Sequence, residues 1–197
     1  MHTSAPLLLE TIRIENGEIF NLPYHQKRCD HSRRELFGLE KRLDLSAHIT
    51  AVPSRGLYRC RIIYGREIRS VEYLPYTPKP IRTIRIVPAQ LEYPYKYLDR
   101  GRFNTLLKEN SDVDEILIEK EGLLTDTTIS NIAFYDGRTW FTPRKPLLEG
   151  TMRARLIEEG HLRTRDIAKE DLHHYTQVAL INAMIGFKIL NHFNIQT

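Results

Sequence analysis

Four short groups of residues have types and spacings that could do chemistry. Gly150-Thr151-Met152-Arg153 follows a loop containing Pro146 and reads as a helix start. Unpaired backbone N–H groups and the positive end of a helix dipole can cradle an anion there, although a helix start that only caps itself fits the same residues. His25 and Arg28 lie three apart on a proposed helix and share a face. Arg28 could fork onto a phosphate with His25 packed beneath it, or both could belong to a solvated basic face. Asp126 closes a strand in the apolar and hydroxyl-rich run 123–131. Its carboxylate could hold a proton on a heterocyclic nitrogen, or it could be a turn former or cap. Lys96 is a natural Schiff-base former if desolvated and an ordinary surface lysine if not.

The elements that must position these residues form two α+β halves. Residues 7–14 read as a strand, 15–18 as a hairpin turn and 19–22 as the returning strand. Pro23 then opens a helix running to about Leu43, with Leu36, Phe37 and Leu43 as core contacts. A second hairpin turns around Tyr64-Gly65, and Pro75, Pro78 and Pro80 stiffen an extended segment after it. The expected organisation is a small α+β domain over residues 1–76, a linker over 77–82 and a larger α+β domain over 83–197. In the second half a strand at 81–87 precedes a polar, tyrosine-rich piece around Lys96. A meander of strands follows at 115–118, 123–126, 131–135 and 139–142, and then the helix from Gly150-Thr151 to Glu159, closed by Gly160. A short strand and helix lead to an apolar strand at 178–181, Asn182 and a final helical stretch.

Composition removes several alternatives. The 197 residues can bury a core without disulfide staples. Cys29 and Cys60 lie far apart without metal-ligand spacing, so reduced buried thiols in a cytoplasmic protein are expected, and no metal. No charged leader precedes a long apolar core and no run approaches the roughly 20 apolar residues of a membrane helix, so no membrane partner is expected. Net charge is +4, with Lys27, Arg28, Arg33, Arg34, Lys41 and Arg42 crowded together. Acidic residues are interleaved and no nucleic-acid motif accompanies them, so no nucleic-acid partner is expected either.

Taken in order, four stretches resemble the class IV aminotransferase family, the fold-type IV enzymes that use pyridoxal 5'-phosphate (PLP). They are Leu9-Glu10-Thr11-Ile12-Arg13 with Tyr24-His25-Gln26-Lys27-Arg28; Lys96-Tyr97-Leu98-Asp99-Arg100; Asp114-Glu115 through Gly122 to Asn131-Ile132-Ala133-Phe134; and Thr142-Pro143 through Gly150-Thr151-Met152-Arg153. The likeness spans nearly the whole chain. It implies an α+β, two-domain fold like that of D-amino-acid aminotransferase, with PLP carried covalently on Lys96 and its phosphate bound by Arg28. Thr151 and Met152 would supply a second phosphate contact and Asn182 a further one. Asp126, five residues before Asn131, stands where the family has a glutamate that pairs with the pyridine nitrogen. A carboxylate there keeps that nitrogen protonated, as PLP chemistry needs, and Lys96 can shuttle a proton at the substrate's Cα. The resemblance also implies a homodimer acting on a small-molecule amine.

Three departures refine the expectation. The chain starts almost at Leu9, so the family's usual N-terminal segment is expected to be shortened. Asp126 draws the carboxylate back by one methylene. Gly101 stands where branched-chain aminotransferases have a tyrosine, while Lys96 to Arg100 and Ile181 to Gly186 look more like the lyase subgroup. The resemblance therefore points first to a 4-amino-4-deoxychorismate lyase-like reaction of folate biosynthesis, which eliminates pyruvate to leave 4-aminobenzoate, with Arg13 contacting a substrate carboxylate. An aminotransferase of branched-chain or D-amino acids and a degenerate PLP-binding non-enzyme are the alternatives.

Overall fold

Strand β1 (Leu8–Glu15) shows the period-two pattern of a strand with one covered face: Leu8, Glu10, Ile12 and Ile14 are fully buried, and Thr11, Arg13 and Glu15 only partly so. In the computed structural model, which describes residues 5–196, Asn16 and Gly17 both take positive φ and turn the chain into β2 (Glu18–Ile19). The returning strand stops there rather than at Leu22. Asn21 is left-handed, and Leu22 already begins helix α1 (Leu22–Phe37), with Pro23 in its first turn. The helix ends six residues short of Leu43 because Gly38 takes φ 63° and its N–H bonds to Arg34 O at 2.9 Å. Leu43 still packs on the core formed by Ile12, Cys29, Phe37 and Ile62. Strands β3 (Leu57–Tyr64) and β4 (Ile68–Pro75) complete an antiparallel sheet of order β2-β1-β3-β4.

The stripe that α1 buries is mostly polar: His25, Gln26, Cys29, Ser32 and Arg33, with Phe37. Arg33 donates to Lys41 O at 2.6 Å and Arg66 O at 2.7 Å, tying loop ends to the helix. Arg28 and Arg33 therefore turn inward, and Arg34 pairs with Glu40, so the basic run is not one exposed patch. Burial pushes the Cys29 and Cys60 thiols up to about 12 and about 11, far from the reactive range.

Strands β5 (Thr83–Pro88) and β6 (Glu115–Lys120) run parallel, with helix α2 (Gly101–Glu109) in their connection. Sequence reasoning did not anticipate α2. Gly101 and Asn104 are weak helix formers and Arg100 supplies no side-chain cap, but the helix buries Phe103 edge-on to Tyr93. Glu121-Gly122 turns into β7 (Leu123–Thr127), followed by β8 (Asn131–Tyr135) and β9 (Trp140–Pro143), the meander expected from the sequence. Helix α3 (Thr151–Glu158) and β10 (Arg163–Arg165), parallel to β9, come next. Strand β11 (Gln177–Asn182) then pairs with β8. The final helical stretch is instead two strands, β12 (Gly186–Ile189) and β13 (Asn194–Gln196). Asn182 Oδ1 accepts the N–H groups of Met184 and Ile185, forming a turn that sends the chain back along β11. The sheet runs β10-β9-β8-β7-β6-β5-β13 over a core that includes Ile84, Leu117, Ile132, Phe134 and Leu180.

The chain divides into two compact units, one running to Pro78 and including Tyr95–Asp99, the other comprising Lys79–Pro94 and the chain from Arg100 onward. The Lys96 segment thus packs with the first unit although its numbering lies within the second. Leu9 N–H donates to Lys96 O and Leu98 N–H to Leu7 O, both at 2.9 Å, and Leu8 and Tyr97 form an antiparallel bridge. Those bonds extend the β1 ladder by one short piece of chain.

Candidate functional site

The first unit gathers Glu10, His25 and Arg28 under β1. Arg28 Nε and Nη2 donate to Glu10 Oε1 and Oε2 at 2.9 and 2.5 Å, and His25 Nδ1 lies 2.6 Å from Oε2. Burial alone would raise the Glu10 pKa, but the Arg28 charge and the hydrogen bonds from His25 and Arg28 outweigh it and hold the carboxyl at about 2. Burial pushes the His25 imidazole down, Glu10 opposes that, and the Arg28 and Lys96 charges add to it. An ionised Glu10 only accepts, so a neutral His25 donates its Nδ1–H. Sequence reasoning assigned no role to Glu10. The available signal was its register, a carboxylate at an inward position between Leu8 and Ile12. Arg13 lies on the opposite face of the same strand, paired with Glu15 at 2.5 Å and stacked over Phe20, apart from the Glu10 cluster.

The second unit gathers Asp126, Asn131, Gly150 and Thr151. Asp126 and Asn131 are the paired residues where β7 meets β8, and both are buried. Asn131 Nδ2 donates to Asp126 Oδ1 at 2.7 Å and to Leu148 O at 2.9 Å, and Leu148 N–H donates to Asp126 Oδ2 at 2.9 Å. Burial raises the Asp126 carboxyl to about 6; the Leu148 and Asn131 hydrogen bonds and the Arg153 charge pull the other way and do not win. Arg153, named from the sequence only as part of the helix start and given no role of its own, is itself buried and donates to Pro143 O at 2.9 Å.

The same amide of Asn131 fixes the start of α3. A Cβ on Gly150 would sit 2.0 Å from Asn131 Oδ1, although φ −69° and ψ 143° are open to any residue. Glycine is needed there for space, not for backbone freedom. The first turn of α3 contains no acidic residue, and Gly150 at its N-cap makes no side-chain cap hydrogen bond, so Thr151 and Met152 lie at a helix start that is not capped by its own side chains. Thr128, in the loop between Asp126 and Asn131, has a buried hydroxyl with no hydrogen-bond partner among the described residues. Asn182 is used locally: its Nδ2 donates to Ser130 Oγ and Ile129 O while its Oδ1 holds the turn after β11. Both side-chain amide hydrogens of Asn182 thus support the Asp126–Asn131 loop.

Gly150→Ala should lower unfolding stability by about 1–3 kcal/mol through the clash with Asn131, measured by urea titration, and a neutral effect would contradict the close approach. The two buried carboxylates should give opposite pH limbs. Glu10, depressed from 4.5 to about 2, adds stability above pH 4.5 that disappears as pH falls towards 2. Asp126, raised from 3.8 to about 6, adds stability below pH 3.8 that disappears as pH rises through 6. Each is worth about 3 kcal/mol. Urea titrations from pH 3 to 8 should show the neutral-side loss in the wild type and its absence in Asp126→Asn.

Comparison with known proteins places the chain in a family. The chain matches the amino-transferase class IV family over residues 7–189. An uncharacterized protein of Haemophilus influenzae is 40% identical over 185 residues, covering 91% of this chain and 98% of that protein. A crystal structure from Haemophilus somnus 129pt, provisionally assigned as a 4-amino-4-deoxychorismate lyase, shares 39% identity and a TM-score of 0.82, covering 92% of this chain and 97% of that one. The PLP-bound form of a hypothetical aminotransferase from Mycobacterium tuberculosis has the same fold at 17% identity, with a TM-score of 0.78 over 97% of this chain and 82% of that one. A match over almost the entire sequence, together with the shared two-part α+β fold, makes the chain a member of the class IV aminotransferases, a family of PLP enzymes.

Proposed function

We propose that this chain is a PLP-dependent lyase of the 4-amino-4-deoxychorismate type, releasing pyruvate from a chorismate-derived amine and leaving 4-aminobenzoate for folate biosynthesis. The observation that carries the cofactor reading is the buried Asp126 carboxylate, held by Asn131 and Leu148 against the glycine-gated start of α3. That donor set suits a phosphorylated heterocycle with a protonated ring nitrogen: a carboxylate for the N–H⁺, and helix N–H groups for the phosphate. The lyase reading is supported by the Haemophilus somnus relative's provisional assignment and by the Lys96 to Arg100 and Ile181 to Gly186 runs.

PLP, when bound, supplies the electron sink. Lys96 Nζ carries the cofactor and moves the proton at the substrate's Cα. Arg28 and the Thr151 and Met152 N–H groups bind the phosphate. Asp126 holds the proton at the ring nitrogen, and Asn131 orients Asp126. Asn182 supports the loop between them rather than touching phosphate, a change from the role the family resemblance implies. The enzyme is read as a cytoplasmic homodimer; no helix among the described residues is long and apolar enough to cross a membrane.

The test is a product assay on PLP-loaded protein given 4-amino-4-deoxychorismate. Pyruvate and 4-aminobenzoate should appear in equal amounts, and Lys96→Ala should cut the rate by about 10²–10⁴-fold or more. Amino transfer from branched-chain or D-amino acids to a 2-oxo acid, with no pyruvate released from the chorismate-derived amine, would make the protein an aminotransferase instead.

A further inference from the structure

Glu10 is fully buried, ionised and hydrogen-bonded to two residues of α1, yet none of the roles above uses it. We infer that Glu10 is a positioning residue for the cofactor phosphate: its carboxylate grips Arg28 from behind and holds the guanidinium in the one orientation that presents it to the phosphate. This rests on the reading of Arg28 as the phosphate contact.

The arrangement is graded in depth. Glu10 and His25 side chains are 0% exposed, whereas Arg28 is 12% exposed. The carboxylate and imidazole thus form the floor, and the guanidinium is the group nearest the surface. An arginine side chain has many rotamers, and a two-point fork onto a fixed carboxylate removes most of them before any ligand arrives. The carboxylate is itself fixed, because β1 is paired with β3 along its full length from Leu8↔Tyr64 to Glu15↔Leu57. His25, one helical turn before Arg28, occupies Oε2 from the same helix and keeps the carboxylate from rotating away. Stability alone is a poor reason to keep such a group, since a buried ion pair is often no more stabilising than apolar residues of the same size.

The experiment titrates wild type, Glu10→Gln and Glu10→Asp with PLP and with pyridoxal, which lacks the phosphate, following cofactor absorbance. Glu10→Gln should weaken PLP binding by about tenfold or more, as expected for losing a charged hydrogen bond, and change pyridoxal binding by less than about twofold. Glu10→Asp keeps the charge but withdraws it by one methylene, so it should show the same phosphate-selective loss in smaller degree, and it serves if Glu10→Gln does not fold. In an Arg28→Lys background, where no fork exists, adding Glu10→Gln should change PLP affinity by less than about twofold. Variants that bind PLP as tightly as wild type or tighter, or that lose PLP and pyridoxal in equal proportion, would overturn the inference while leaving the cofactor assignment intact. A wild type that binds neither compound would overturn the cofactor assignment, and Glu10's role with it.

Discussion

Burying Asp126 costs the second unit more than its hydrogen bonds return, as the rise of its carboxyl to about 6 records. Much of the local architecture exists to hold that group in place. Asn131 faces it where β7 meets β8, Leu148 N–H meets its other oxygen, and the amide that steadies it requires glycine at the start of α3. Asn182, Arg100 and Glu115 brace the intervening loop through Ser130, Thr128 O and Thr128 N–H. Carboxylate and helix start therefore share one set of contacts, and moving either displaces the other. A cation placed beside Asp126 would lower the cost of ionising it.

Glu10 and Asp126 are both buried carboxylates that their surroundings push in opposite directions. Glu10 has a forked arginine and a histidine hydrogen and stays ionised at any physiological pH. Asp126 has only neutral hydrogen-bond donors, with the Arg153 charge as a smaller contribution, and its charge is conditional. The first suits a permanent structural anion and the second a group whose charge is completed by a bound molecule.

Much of this was legible in the sequence, for reasons that differ by element. The first hairpin, the meander and the α3 start follow local rules: Asn-Gly and Glu-Gly turns, period-two apolar runs, and a glycine before Thr151. Asp126, Asn131 and the start of α3, named from the sequence, do come together. The helix boundary at Phe37, helix α2 and the C-terminal strands were not read correctly, because Gly38, the packing of Phe103 and the Asn182 turn override local propensity. Glu10 could have been flagged by its inward register, but its fork onto Arg28 depends on α1 crossing β1. The steric need for Gly150 was invisible, since the atom that excludes a Cβ is nineteen residues away on Asn131. Segment 95–99 joins the first unit through ladder bonds to Leu7 and Leu9, which no composition shift announces.

Whether Lys96 carries PLP, as proposed, is decided by loading the protein with PLP, reducing it with borohydride, digesting it and locating the label by mass spectrometry. One label per chain is expected, on the peptide containing Lys96 and absent from Lys96→Ala. No label, or label spread over other lysines and unchanged in Lys96→Ala, would contradict the proposal.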